Sequence, residues 1–109
     1  MAKNNRITPE ASKLDLDPSF IDPNGNHWNV PKIGNYASAN SLGAAYAEEY
    51  VQYLLSDPSL VGMPVLGFIA QDMDYSDEDR RGICVGFFSR LEALIYEGAL
   101  AREKHQKAA

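Results

Sequence analysis

The sequence predicts a mainly α-helical fold, in which a small three-helix domain follows an extended N-terminal arm with a short β-hairpin. Three observations lead to this fold class. Apolar residues recur every three to four positions in three segments after residue 37, as on one face of an α-helix. Large apolar residues are sparse before residue 20. An Asn-Gly pair between two short apolar runs is typical of a hairpin turn.

The chain is expected to form a single domain in two parts. Its 109 residues suffice for one small hydrophobic core. Residues 1–37 are predicted to be the arm and hairpin, packed on a helical domain of residues 38–109. The hairpin turn is placed at Asn24-Gly25, and Pro31 ends the hairpin because proline does not continue a central strand.

The first helix is predicted to begin near Ser38, with Ser38 or Asn40 as its cap, and to end at Asp57-Pro58. Asp57-Pro58 should also open a single short helical turn, since proline suits a first helical position. The apolar positions of this helix share one face and are Leu42, Ala45, Tyr46, Tyr50, Tyr53 and Leu54.

Two further helices are predicted, a short one from about Pro64 to Met73 and a long one from Asp77 to about Lys104. Ser76 followed by acidic residues resembles a capping box at the start of the long helix. Acids in its first turn and bases in its last turn have the signs that the helix macrodipole favours. Together the stripes predict a core of Trp28, Leu42, Tyr46, Tyr50, Leu54, Leu66, Ile69, Phe87, Leu91 and Leu94.

The net charge of −5 is unevenly distributed. Residues 38–79 carry eight acidic side chains and no Lys or Arg, whereas residues 80–109 carry six basic and three acidic ones. Direct nucleic-acid binding is not expected, because phosphate contacts need a positive surface. A candidate acidic interaction surface consists of Asp72, Asp74, Asp77, Glu78 and Asp79. The alternative is a solvated acidic surface without a partner.

The long helix carries Gly82 and Gly86, a spacing that lets two helices approach closely. Either another helix of the same chain packs there, or a second copy does. The broad apolar stripes of the first and third helices exceed what one short helix can cover, and a large exposed apolar patch usually marks an interface. A symmetric homodimer is therefore predicted, with Gly82 and Gly86 as the candidate self-association residues.

The residues that most often carry chemistry are few. His27 and His105 are the only histidines, and neither has a cysteine or second histidine at metal-ligand spacing. Cys84, between Ile83 and Val85, is expected in the core as a small apolar side chain. Nothing pairs a base with a nucleophile, and no phosphate-binding glycine loop is present. Neither catalysis, a metal nor a cofactor is therefore predicted.

The function expected from the sequence is that of a small acidic cytoplasmic protein that acts by protein–protein interaction. The location follows from the lack of a signal-peptide core and of an apolar run that could span a membrane. One alternative is an acidic inhibitor that imitates nucleic-acid charge to block a nucleic-acid-binding protein. Another is a small-ligand or enzyme domain with a pocket near His27 and Trp28.

Overall fold

The computed structural model describes residues 17–108, and this part of the chain is mainly helical and contains no strand. Three α-helices follow one another: α1 (Tyr36–Ser56), α2 (Val65–Asp72) and α3 (Glu78–Ala108). A single 3-10 turn, Pro58–Leu60, lies between α1 and α2. The predicted mainly helical fold with three helices is confirmed. The part of the predicted arm before residue 17 lies outside the described residues.

The predicted β-hairpin is wrong. The chain does turn at Gly25, which has a φ of 114°. Two backbone hydrogen bonds cross the turn, from the N–H of Asp22 to the carbonyl of Asn26 and from the N–H of Asn29 to the carbonyl of Phe20, both at 2.7 Å. They are not continued into a strand pair, and other N–H groups of the segment donate to side chains. The N–H of Asn24 donates to Asp22 Oδ1 at 2.9 Å, and that of Trp28 donates to Asn26 Oδ1 at 2.9 Å. These local hydrogen bonds compete with a strand ladder, so the segment forms successive turns.

The helix starts differ from the predicted ones because other side chains cap them. Asn35 Oδ1 accepts the N–H of Ser38 at 2.9 Å, so α1 begins at Tyr36. Asp77 Oδ1 accepts the N–H of Asp79 at 3.1 Å, so Asp77 caps α3 in place of the predicted Ser76. The short turn after α1 is confirmed, with Asp57 as its cap.

The described chain divides into two compact units, and α1 contributes to both. The described part of the first unit comprises residues 17–30 and Glu49–Met73, and that of the second comprises Pro31–Glu48 and residues 74–108. The predicted boundary between arm and helical domain at residue 37 stays a prediction. None of the helices within residues 17–108 combines the length and the apolar composition needed to cross a bilayer.

In the second unit, α1 and α3 approach each other at backbone distance. A Cβ atom at Gly43 would lie 2.1 Å from the carbonyl oxygen of Ile83, and one at Gly86 would lie 2.2 Å from that of Asn40. Asn40 Nδ2 also donates to the carbonyl of Gly82 at 3.1 Å. Only glycine permits this approach, because any side chain would overlap the facing backbone.

The first unit has its core around two aromatic rings. Phe20 is fully buried, and its ring meets the ring of Trp28 edge to face with centroids 5.2 Å apart. Ile69 of α2 is also fully buried, and Tyr50 of α1 is 6% exposed.

The predicted core is confirmed in most of its members. Buried as predicted are Trp28, Tyr46, Tyr50, Ile69, Phe87 and Leu91, and half-buried are Leu42, Leu54, Leu66 and Leu94. Phe20 and Ile83 are fully buried as well, although the predicted core omitted them.

Candidate functional site

The five acids of the predicted interaction surface have different roles. Asp72, the last residue of α2, is held by the turn segment of the same unit. Its Oδ2 accepts the N–H of His27 at 2.8 Å and lies 3.2 Å from His27 Nδ1. The backbone hydrogen bond is the main cause that lowers the pKa of Asp72, and the imidazole adds to it. Asp72 therefore has a structural partner.

Asp74 and Asp77 also serve the local fold. Asp74 Oδ1 accepts hydrogen bonds from the N–H and the hydroxyl of Ser76, which shapes the turn before α3. Asp77 caps α3 and accepts a 2.7 Å hydrogen bond from Arg80 Nη1. The Arg80 guanidinium is the main cause that lowers the pKa of Asp77. Neither carboxylate needs an external partner.

Glu78 and Asp79 remain, and both are exposed in the first turn of α3. Their side chains make no hydrogen bond or ion pair with any residue of the described range. Two exposed tyrosines belong to the same unit. Tyr36, in α1, is 62% exposed. The Tyr36 ring lies close to Gly82 of α3, because a Cβ atom added to Gly82 would lie 3.1 Å from that ring. Tyr75 is 47% exposed and precedes the turn.

We call the four exposed side chains of Tyr36, Tyr75, Glu78 and Asp79 the acidic start of α3. Partial burial raises the pKa of Tyr75, with a smaller contribution from the nearby Cys84. The phenol is therefore neutral at physiological pH and offers a hydroxyl and a ring face. The acidic start of α3 thus combines two carboxylates with two exposed aromatic rings.

The predicted self-association residues lie inside the chain. Gly82 and Gly86 are both buried, and both face α1 of the same unit. Their spacing is explained by close packing of α1 on α3. Because packing of α1 on α3 already accounts for the spacing, the spacing alone does not indicate a second copy, and the homodimer stays a prediction.

His27 and Trp28, proposed to line a pocket, both have aromatic neighbours in the first unit, and the pocket stays a prediction. Trp28 is 5% exposed beside Phe20. The His27 ring lies 5.2 Å from the ring of Phe68 and faces Asp72, as described above. Cys84 is fully buried, as predicted. Within residues 17–108, no three His, Cys, Asp or Glu side chains gather in a way that could hold a metal ion.

Sequence reasoning missed an open groove of about 370 Å³ in the second unit. Arg90 at its rim forms an ion pair with Glu48. Small residues at helical spacing on both helices are the signal that could have indicated it. The groove is lined by Asn40, Ser41, Ala44, Gly86, Ser89, Arg90 and Ala93.

Sequence reasoning also did not anticipate that the second half of α3 is exposed along its whole length. Every described side chain from Ile95 to Lys107 is exposed. Ile95 is 70% exposed and Leu100 is 38% exposed. An exposed helix that carries apolar residues usually packs them against another element or a partner.

Comparison with known protein families, with curated proteins and with solved structures found no match for this chain.

The Asp72–His27 contact gives a testable pH dependence. Because the folded chain lowers the pKa of Asp72, its contribution to stability is complete above the ordinary carboxyl pKa of about 4 and is lost as the pH falls through the lowered value. The thermal midpoints of the wild type and Asp72→Asn should therefore differ most at neutral pH and converge in acid. Glu92→Gln, at an exposed carboxylate without a hydrogen bond, is the control and should follow the wild type. A constant difference at every pH would contradict the assigned role.

Proposed function

We propose that this protein is a small, acidic, non-catalytic cytoplasmic protein that acts by binding another protein. The acidic start of α3 is its contact surface. The observation that carries this proposal is the pair of exposed carboxylates, Glu78 and Asp79, which make no hydrogen bond or ion pair with another described residue, in the same unit as the exposed Tyr36 and Tyr75. The other acids of the predicted surface are engaged within the fold, so the contact surface is smaller than the sequence suggests.

The chemistry of these side chains indicates a basic partner segment. Carboxylates make their strongest hydrogen bonds with Arg and Lys, and an arginine also stacks on a tyrosine ring. Tyrosine is enriched at protein interfaces because it carries apolar area and a polar tip. A partner that presents Arg or Lys beside an apolar residue would satisfy both features.

Imitation of nucleic acid is the weaker alternative. A mimic needs a long, uninterrupted row of negative charge, because it competes for a surface that binds successive phosphates. Arg80 and Arg81 interrupt the acids within one turn, and Arg80 already pairs with Asp77. This mixed charge pattern favours contact with a protein segment over a phosphate-binding channel.

The proposal is tested by affinity capture from a lysate of the native host with three baits. These are the wild type, E78Q/D79N, and E92Q/E103Q, a control that removes the same charge from exposed sites farther along α3. The wild type and the control should retain the same basic partner, and E78Q/D79N should lose it. Retention should fall as salt rises, because ions screen exposed charge pairs.

Two results would separate the alternatives. Recovery of the same proteins by all three baits would contradict the assigned surface. A captured nucleic-acid-binding protein that DNA or RNA displaces would instead support the mimic. The substitutions are nearly isosteric, so each variant should keep its helices. Circular dichroism of the three baits checks this.

A further inference from the structure

The exposed second half of α3 has the pattern of a helix that pairs with another helix. From Leu91 onward, positions spaced alternately by three and four residues form one seam, which consists of Leu91, Leu94, Gly98, Ala101 and His105. Such spacing keeps one face of a helix against a partner helix. Leu91 is 9% exposed and lies at the end of the packed part, so the seam continues the core-facing side of α3 into solvent.

Small residues occupy the centre of this seam. An added Cβ atom at Gly98 would meet nothing within 4 Å, so no close packing within residues 17–108 requires this glycine. Glycine weakens a helix interior by about 1 kcal/mol relative to alanine. Gly98 and Ala101 together would let a second helix approach closely, while the exposed side chain of Ile95 lies beside them.

The charges beside the seam indicate the orientation of that second helix. Glu97 and Lys104 occupy the same side of the seam, seven residues apart. Neither has an ion pair within the described residues. In two antiparallel copies centred between Gly98 and Ala101, each Glu97 faces the Lys104 of the other copy. Arg102, on the opposite side, then covers Ile95 with its methylene groups.

We propose that two copies of this chain associate through the second half of α3, as an antiparallel helix pair of residues 91–108. The paired segment would be about 26 Å long. A parallel pair would instead bring Glu97 beside Arg102 of the other copy and would leave Lys104 without an opposite charge, whereas the antiparallel pair gives Lys104 a carboxylate partner. Tyr96 and Leu100 lie outside the seam. They are four residues apart on one helix face, and such an apolar pair stabilises the helix.

The contact is short, so the dimer should be weak and concentration-dependent. Interfaces below about 1,200 Å² are typical of transient association. Sedimentation equilibrium of the purified full-length chain should show a reversible monomer–dimer equilibrium. A monomer mass at every concentration up to the millimolar range overturns the proposal.

A charge exchange tests the orientation. Glu97→Lys and Lys104→Glu, each alone, place like charges opposite each other twice in the antiparallel dimer. Each should raise the dissociation constant by about tenfold. The double variant E97K/K104E restores both pairs in reverse and should return to the wild-type value. Within one chain, Glu97 and Lys104 do not pair with each other, because they are two turns apart.

The same series detects the other arrangements. If Lys104→Glu has no effect and the double variant stays weak, the pair is parallel and the proposed geometry is wrong. If no variant changes the equilibrium, the dimer uses another surface. Cross-linking of monomer between residues 1–16 and α3 would show that the chain covers its own seam, which also overturns the proposal.

Gly98→Leu provides a second, independent variant. The open space around Gly98 accommodates a leucine in the monomer, and leucine favours a helix more than glycine does. The thermal midpoint in dilute solution should therefore be retained or raised, whereas the close approach of two copies should be blocked and the dimer lost. A dimer as tight as the wild type would contradict the seam.

This inference shares with the proposed function only the premise that the protein acts by protein contact. The dimer is measured on the purified chain, and binding of a basic partner is measured with variants of Glu78 and Asp79 at the other end of α3. Failure of one experiment therefore leaves the other unaffected.

Discussion

Phe20→Ala is expected to lower the free energy of unfolding by about 3–4 kcal/mol, the largest effect of any single substitution considered for this chain. Phe20 is fully buried, and its ring meets the edge of Trp28 at a centroid distance of 5.2 Å. Truncation to alanine removes this contact and leaves a cavity that the surrounding turns can fill only in part. Urea unfolding followed by fluorescence measures the change, because Trp28 is the only tryptophan and lies beside the cavity.

Phe68→Ala is the matched control, since it makes the same chemical change at a ring that is 43% exposed. We expect a loss of about 1 kcal/mol there, because much of the ring already lies in water. Similar losses for the two variants would mean that Phe20 is not the centre of the core in the first unit.

Gly86→Ala is expected to destabilise the protein by about 2–3 kcal/mol, even though alanine favours a helix more than glycine does. The added methyl group would lie 2.2 Å from the carbonyl oxygen of Asn40, so α1 and α3 must separate. Separation also weakens the hydrogen bond from Asn40 Nδ2 to Gly82. The thermal midpoint should fall by roughly 10 °C.

Gly98→Ala is the control in the same helix, because a methyl group there meets nothing within 4 Å. Its only effect in dilute solution should be the gain in helix propensity of up to about 1 kcal/mol. The two alanine variants should therefore shift the thermal midpoint in opposite directions. A stabilising Gly86→Ala would show that α1 and α3 do not pack at backbone distance.

The glycines show the limit of sequence reasoning about packing. The spacing of Gly82 and Gly86 correctly indicated a close helix contact, but spacing does not identify the partner helix. Gly43 forms the other side of that contact. Which glycines meet depends on how two distant segments are brought together.

The acidic residues show the same limit for the candidate site. Local sequence placed acids at the start of α3, and their role near the helix N-terminus follows from the macrodipole. Asp72, however, accepts its hydrogen bonds from a residue 45 positions earlier. No periodicity or spacing relates His27 to Asp72, so the sequence could not separate the engaged acids from Glu78 and Asp79.

The sequence by itself determined the three helices and the short turn at Pro58–Leu60, because periodicity, caps and proline act over a few residues. It also determined that the chain is acidic in its middle and basic toward its end. The tertiary structure decided the burial of Phe20 and the exposure of the second half of α3. Each of these depends on contacts between distant segments, or on their absence within the described residues, and so was not encoded in any local pattern.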